Sequence, residues 1–376
     1  MKIVYVITKA DEIGGAQTHV RDLAKEFKNE GNEVIIIVGE EGIFTKQLQE
    51  ISISTIILND LQRNISIFKD ISCAIKLRKL IISLNPDIVA LHSSKAGIIG
   101  RLSLVATKIP VIFTAHGWAF TDGIPANKKY IYIFIEKIFS RLADKIITVS
   151  NKDKELAIKY KVSSENKQIV IHNGIPDSIM QKNNAEKNNY NGFDNNKVQL
   201  ISIARFSKQK DHITLFHALK KITYKNWHLK LVGKGPLLDE MIVLSNSLGL
   251  SNNITFCGER EDIEHLLVTS DIFLLSTNWE GLPISIIEAM RAGLPIISTD
   301  VGGVNELISD NNNGYLVKSK DSSQLARKIE SLLLSKERRE TFGMKSRELF
   351  INKFHISSMY IKTKNTYEAV IKEKKC

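Results

Sequence analysis

Cysteine is scarce in this chain of 376 residues: Cys73, Cys257 and Cys376 are odd in number and widely and irregularly spaced. That argues against a disulfide framework or a zinc site and fits a reducing compartment. Long apolar runs are missing as well. After Met1-Lys2 the run Ile3 to Ile7 gives way to polar Thr8-Lys9, too short for a signal-peptide core or a membrane span. The expected location is the cytoplasm, with the inner face of the plasma membrane as a place for peripheral contact. Two short motifs are also absent. Without Gly-x-Gly-x-x-Gly the chain lacks the dinucleotide fingerprint, and without Asp-x-Asp it lacks paired carboxylates to hold a divalent cation against a diphosphate.

Charge is plentiful but unfocused. The net charge is +11, with 19 Lys/Arg against 15 Asp/Glu in residues 1–150, 8 against 6 in 151–200 and 25 against 20 in 201–376. Nucleic-acid binding calls for a concentrated basic face, with aromatic platforms where single strands are bound, and neither is present. A spread excess suits weak attraction to anionic headgroups or phosphorylated substrates.

With 43% apolar and 25% charged residues the chain has a globular composition, and its length predicts two domains of roughly 150 to 180 residues. Apolar runs at Lys2 to Ile7, Glu33 to Val38, Thr55 to Leu58, Asp87 to Leu91, Val111 to Thr114, Lys145 to Val149 and Ile169 to Ile171 read as strands. Helical patterns such as Ala16 to Phe27, Ile71 to Leu84 and Ala96 to Ala106 separate most of them, making the first half a βαβ array with a parallel sheet. The Asn-rich run Gln181 to Asn196 has little apolar content and reads as a linker. Further strands follow at Val198 to Ala204, His228 to Val232, from Ile254, Asp271 to Leu275 and Pro295 to Thr299, then helices at Ser322 to Leu334 and Glu337 to Asn352. The expected limits are a first domain at 1–178, a linker at 179–196, a second domain at 197–355 and a closing helix in 356–376.

One stretch concentrates chemistry at a strand end: Thr277-Asn278-Trp279-Glu280-Gly281-Leu282-Pro283-Ile284-Ser285-Ile286-Ile287-Glu288-Ala289-Met290. Pro283 takes the favoured first-turn position of an apolar helix. The free N–H groups and positive dipole end of that helix suit phosphate. Glu280 and Glu288 repel phosphate, so their better use is to accept hydrogen bonds from hydroxyls. A ligand carrying both phosphate and polyol, such as a nucleotide sugar, meets both demands. A solvated Glu280 and a surface Glu288 fit the spacing equally well.

Other strand ends carry weaker signals. Glu12-Ile13-Gly14-Gly15 is a turn in which glycine lets backbone approach a phosphate or sugar. In Leu91-His92-Ser93-Ser94-Lys95-Ala96-Gly97, Ser93 or Ser94 is an N-cap, while two hydroxyls and a lysine also make an anion site. Thr114-Ala115-His116-Gly117 places a histidine just past a strand. Arg205 and Lys210, after the strand Val198 to Ala204, can clamp a diphosphate, one through a planar fork and the other as a point charge. Gly233-Lys234-Gly235-Pro236 and Val301-Gly302-Gly303 read as turns. The aromatic, basic helix Lys128 to Leu142 is apolar nearly all round, so burial against the sheet is expected, with an amphipathic membrane contact as the alternative.

Glu280-Gly281-Leu282-Pro283-x-x-x-x-Glu288-Ala289-Met290 resembles the signature of glycosyltransferase family 4, the retaining enzymes of the GT-B fold. Ile13-Gly14-Gly15-Ala16-Gln17, Thr114-Ala115-His116-Gly117, Asn173-Gly174-Ile175 and Ala204-Arg205-Phe206-Ser207-Lys208-Gln209-Lys210 match in the same order, over nearly the whole chain. Bacterial O-antigen and capsular polysaccharide glycosyltransferases are the members it resembles. The fold implied is α/β, with two doubly wound Rossmann-like domains facing a central cleft and the closing helix crossing back onto the first.

The implied donor is a nucleotide sugar, UDP-linked by family weight, bound through Gly14, Gly15, Arg205, Lys210, Glu280, Leu282, Pro283, Ile284, Ser285 and Glu288. His116, Glu280, Arg205 and Lys210 would be catalytic. Many relatives have glycine where Pro283 stands, so one backbone donor is missing here. Ser93, Ser94 and Lys95 would hold the phosphate of an undecaprenyl-diphosphate-linked saccharide acceptor, with peripheral contact to an anionic membrane. No cofactor, metal or nucleic acid is expected. The rivals are a sugar-nucleotide epimerase of the same fold, a glycogen-phosphorylase-like enzyme with lysine-bound pyridoxal phosphate, and a non-catalytic sugar-nucleotide-binding protein.

Overall fold

The computed structural model describes residues 1–62, 66–121, 124–177 and 197–375, so the expected linker at 179–196 lies wholly outside the described residues. The chain divides into two compact units, one of Met1–Pro176 with Ile356–Cys376 and one of Asp177–His355.

Seven parallel strands form the first sheet: β1 (Lys2–Ile7), β2 (Glu33–Val38), β3 (Ser54–Ile57), β4 (Ile88–His92), β5 (Val111–Ala115), β6 (Lys145–Thr148) and β7 (Gln168–Val170). Their order is β3-β2-β1-β4-β5-β6-β7. Most of these strands are continuous apolar runs because helices cover both faces of the sheet. Successive side chains of β1 therefore enter opposite layers: Ile3, Tyr5 and Ile7 pack with Phe27 of the Gly15–Asn29 helix, while Val4 and Val6 pack with Leu77, Ile81 and Ile99. The closing helix, Ile356–Lys375, belongs to the first layer. Tyr367 stacks on Phe27 at 5.5 Å between ring centroids, Tyr360 meets it edge-on at 4.8 Å, and the Ile356 N–H donates to the Ile175 carbonyl at 2.9 Å.

The second sheet holds β8 (Val198–Ile203), β9 (Trp227–Val232), β10 (Ile254–Gly258), β11 (Ile272–Leu275), β12 (Ile296–Thr299) and β13 (Gly314–Val317), in the order β10-β9-β8-β11-β12-β13. β13 is an edge strand that the sequence pattern did not show, since Gly-Tyr-Leu-Val follows an Asn-rich turn and is only four residues long. In each sheet the strand order reverses once, between β1 and β4 and between β8 and β11. At such a reversal the flanking loops part and leave a crevice at the carboxyl ends, where ligands of doubly wound sheets bind.

The Ala126–Phe139 helix departs from the burial expected of it. Glu136 and Ile133 are its buried residues, whereas Tyr130, Ile131, Phe134 and Ile138 are 69%, 58%, 65% and 46% exposed. Those four recur at helical spacing and form one outward stripe. Glu136 holds the inner face by accepting from Nη2 of the fully buried Arg101 at 2.9 Å, and that guanidinium lies 4.3 Å over the Phe113 ring. The helix thus turns its acid inward and Tyr130 and Phe134 outward, the reverse of an ordinary surface helix. No described helix is long and apolar enough to cross a membrane.

Candidate active site

At the β8–β11 crevice the strand ends are sewn together by one backbone bond and by side chains that bond to backbone. Asn278 N donates to Gln209 O at 2.8 Å, and Gln209 Nε2 donates to Trp279 O at 2.7 Å. Thr299, from the end of β12, accepts from Thr277 N at 3.0 Å and donates to Thr277 O at 2.7 Å. Gly302 is needed here: its φ is +55°, and a Cβ on it would fall 1.9 Å from the Glu280 carbonyl oxygen.

Within that frame Glu280 is buried, 8% exposed, and accepts from Lys210 Nζ, from Thr277 Oγ1 at 2.8 Å and from Gln209 Nε2 at 3.4 Å. Sequence reasoning gave Lys210 to a diphosphate and Glu280 to sugar hydroxyls as separate parts. The structure joins them in one ion pair. A buried pair of this kind is costly to break, since removing one partner strands the other charge. Arg205 stands exposed just beyond the end of β8.

The helix after β11 runs Ile284–Arg291, and Pro283 is its N-cap, with extended φ −68° and ψ 119°. Pro283 therefore stands one residue outside the helix instead of within the expected first turn. Leu282 and Ile284 are core side chains, 4% and 7% exposed, which leaves only their backbone for a ligand. The N–H groups of Ile284 and Ser285 have no carbonyl one turn back, while Ile286 N is taken by Pro283 O at 3.2 Å. Ser285 and Glu288, both half-buried, are three residues apart and share a helix face.

The first unit offers different chemistry. Gly14 is the N-cap of the Gly15–Asn29 helix and both glycines are exposed; Gln17 Oε1 accepts from Gly14 N at 3.2 Å. Ser93 occupies the N-cap of the Ser94–Ser103 helix at φ +72°, but its side chain does not cap. Instead its Oγ lies 2.9 Å from Thr8 Oγ1, bridging the ends of β4 and β1. Ser94 is the first helical residue. Lys95 Nζ sits 2.6 Å from both carboxylate oxygens of Asp70, 11% and 23% exposed respectively, so a carboxylate of the chain itself occupies the anion-binding position expected of this lysine.

His116 lies just past β5. Register explains its neighbour: His92 pairs with Thr114, so His116, two residues on, returns to the same side of the sheet. His92 Nδ1 and His116 Nε2 are 2.9 Å apart. His19, from the Gly15–Asn29 helix, meets the His116 ring edge-on at 4.7 Å, and its Nδ1 is 3.0 Å from Asn173 Oδ1. Burial drives the pKa of His92 and His116 well below the ordinary histidine value and takes His19 down to about 4; the other histidines add repulsion at His92 and His116. All three are neutral imidazoles at pH 7. Their ring nitrogens lie within 4.8 Å of one another, which makes them the metal-capable group found among the described residues. His92 Nδ1, His116 Nε2 and His19 Nδ1 each already have a hydrogen-bond partner. His19 and His92 were missed in the sequence, because strand register and the packing of the Gly15–Asn29 helix bring together residues so far apart along the chain; the one signal was His92 standing beside Ser93 at a strand end.

Two Rossmann-like units of parallel strands, each with functional groups at its strand-order reversal, define the GT-B class of glycosyltransferase fold. The Glycosyltransferase Family 4 domain model matches residues 13–178, and the Glycosyl transferases group 1 model matches residues 183–349. The chain is 31% identical over 304 residues to the UDP-Gal:alpha-D-GlcNAc-diphosphoundecaprenol alpha-1,3-galactosyltransferase of Escherichia coli, with 78% of each chain covered. It is 30% identical over 321 residues to the O-antigen biosynthesis glycosyltransferase WbnH of Escherichia coli, covering 85% of this chain and 87% of that one. In fold it is similar to Anabaena HepE, solved in complex with UDP and glucose, at a TM-score of 0.83 and 19% identity over 98% of this chain and 100% of that one. The chain belongs to glycosyltransferase family 4. Nothing in these likenesses favours an epimerase or a non-catalytic binding protein.

Proposed function

We propose that this glycosyltransferase moves a hexose or N-acetylhexosamine from a UDP-sugar, with retention and without a metal ion, to a lipid-linked saccharide diphosphate in surface polysaccharide assembly. The observation that carries it is the Lys210–Glu280 pair at the β8–β11 crevice, beside the start of the Ile284–Arg291 helix. There Arg205, Lys210 and the N–H groups of Ile284 and Ser285 meet the diphosphate, and Glu280 and Glu288 accept from sugar and ribose hydroxyls. As the bond from the sugar C1 to the UDP oxygen breaks, the positive groups stabilise the departing diphosphate and positive charge develops on the sugar ring. The acceptor hydroxyl oxygen then bonds to C1 on the same face and passes its proton to the leaving phosphate. The names of the Escherichia coli relative and of the HepE complex, with their UDP-galactose, diphosphoundecaprenol and UDP, support the donor and acceptor classes.

The outward stripe of Tyr130, Ile131, Phe134 and Ile138, with Lys128, Lys129 and Lys137 on the same helix, suits an anionic bilayer, which is where such an acceptor resides. One assay tests the chemistry: UDP-sugars and a lipid-diphosphate saccharide are supplied in excess chelator, and the product anomer is read by NMR. Transfer with retention is expected; an absolute need for magnesium or manganese, restored by titration, refutes the metal-free reading. Sedimentation with phosphatidylglycerol vesicles tests the membrane part. Phe134→Glu should release the protein from the vesicles while turnover on a water-soluble acceptor is kept, and unchanged sedimentation refutes it.

A further inference from the structure

A hydrogen bond between two neutral imidazoles contains one proton, and the bond of 2.9 Å between His92 Nδ1 and His116 Nε2 can be drawn in two ways. If His116 donates, His92 keeps its own proton on Nε2. That atom is buried with no hydrogen-bond partner among the described residues, so a bare N–H would be sealed from water. If His92 donates, the orphan at Nε2 is a lone pair instead. Buried N–H groups without acceptors are the rarer defect, and underused acceptors are better tolerated. The neighbouring histidine obeys the same logic: Asn173 Oδ1 can only accept, so His19 carries its proton on Nδ1.

We infer that His92 is a positioning residue: its Nδ1–H donates to Nε2 of His116, and His116 is thereby fixed as the tautomer that presents Nδ1–H outward as a hydrogen-bond donor. His116 makes no other hydrogen bond among the described residues and is only half-buried, so Nδ1 is the nitrogen left for a ligand. The assignment rests on the proposed glycosyl transfer for its chemical meaning. A departing phosphate offers only acceptor oxygens, which a donor N–H stabilises and a lone pair would repel. It also removes His116 as a general base and leaves the acceptor's proton to the phosphate. The titratable groups facing the His116 ring are His19 and His92, both neutral, and burial keeps His116 from becoming an imidazolium.

The tautomer can be read without turnover, so its failure and that of the transfer reaction are separable. Long-range ¹H–¹⁵N NMR of the full-length protein, assigned with His92→Asn and His116→Gln, should show His116 protonated at Nδ1 and bare at Nε2 from pH 6 to pH 8. A proton on Nε2, an imidazolium, or a shift pattern of metal coordination in the protein as isolated overturns the inference. In kinetics, His92→Phe should lower kcat about 100-fold with donor KM nearly unchanged, the size expected for loss of a residue that orients another. His92→Asn, whose amide N–H stands where Nδ1–H was, should recover most of that loss. If Asn is no better than Phe while both variants keep the wild-type melting temperature, or if Phe retains wild-type kcat, His92 does not position His116.

Discussion

At the β8–β11 reversal the side chains carry charge, Lys210 against Glu280 with Arg205 beyond the same strand end, whereas at the β1–β4 reversal three histidines are packed so closely that charge is driven off them. Both crevices come from the same topology. What differs is what burial does to each. Around Glu280, Thr277 and Gln209 supply hydrogen bonds that make a buried ion pair tolerable; around His92 the Tyr5 ring and two neutral imidazoles are packed, so neutrality is the stable state. One fold thus provides an electrostatic site and a neutral donor site by changing only the residues at the switch point.

The comparison is broken most severely at Glu280. Glu280→Ala should reduce turnover about 1,000-fold and lower stability by about 3 kcal/mol, because it strands Lys210 and removes the proposed sugar contact together. Urea denaturation and steady-state kinetics check the two parts, and loss of stability with full turnover would make the pair merely structural. Acid sharpens the contrast next. His19 is held neutral down to about pH 4 in the fold but takes up a proton near pH 6.5 once unfolded. The unfolded chain then binds more protons, so stability falls as pH drops from 6.5 towards 4, by about 3 kcal/mol at pH 4 from this residue alone. His92 and His116 add in the same direction, against the single comparably buried His212 in the second unit. Hydrogen exchange followed by mass spectrometry at pH 7 and pH 4.5 should show the first unit opening first; simultaneous opening contradicts this.

Arg205→Ala and Lys210→Ala should each cost at least ~2 kcal/mol in transition-state stabilisation at saturating donor. Near-normal turnover in both would remove the charged site from the chemistry. The smallest effect is expected at Lys95, which already has Asp70 as a partner. Lys95→Ala should raise acceptor KM about fivefold, or ~1 kcal/mol, while sparing donor affinity. An unchanged acceptor KM in titrations with lipid-linked substrate would leave Lys95 as a brace for Asp70.

Much of the fold was legible because apolar β-branched runs alternate with amphipathic stretches, and eleven of the expected strand segments coincide with strands to within one residue at each end. The strand Gly314–Val317 was not, since its four residues directly follow the Asn-rich turn Asn311-Asn312-Asn313, which reads as loop. The outward face of the Ala126–Phe139 helix was misread for a related reason. Its apolar residues circle the helix, and the face that turns in is the one where Glu136 meets Arg101 and Ile133 enters the core.

What the chain determined by itself is local: which segments become strands, which glycines and prolines end them, and that Glu280, Arg205, Lys210 and His116 all fall near strand ends. Those follow from periodicity and turn chemistry acting over a few residues. Strand order is decided only in the folded state, by which helix faces can be buried together, and with it which strand ends become neighbours. The partners of the candidate site residues, Lys210 for Glu280, Asp70 for Lys95 and His92 for His116, belong to that second level, because a hydrogen bond formed across 24 to 70 residues depends on register and not on spacing.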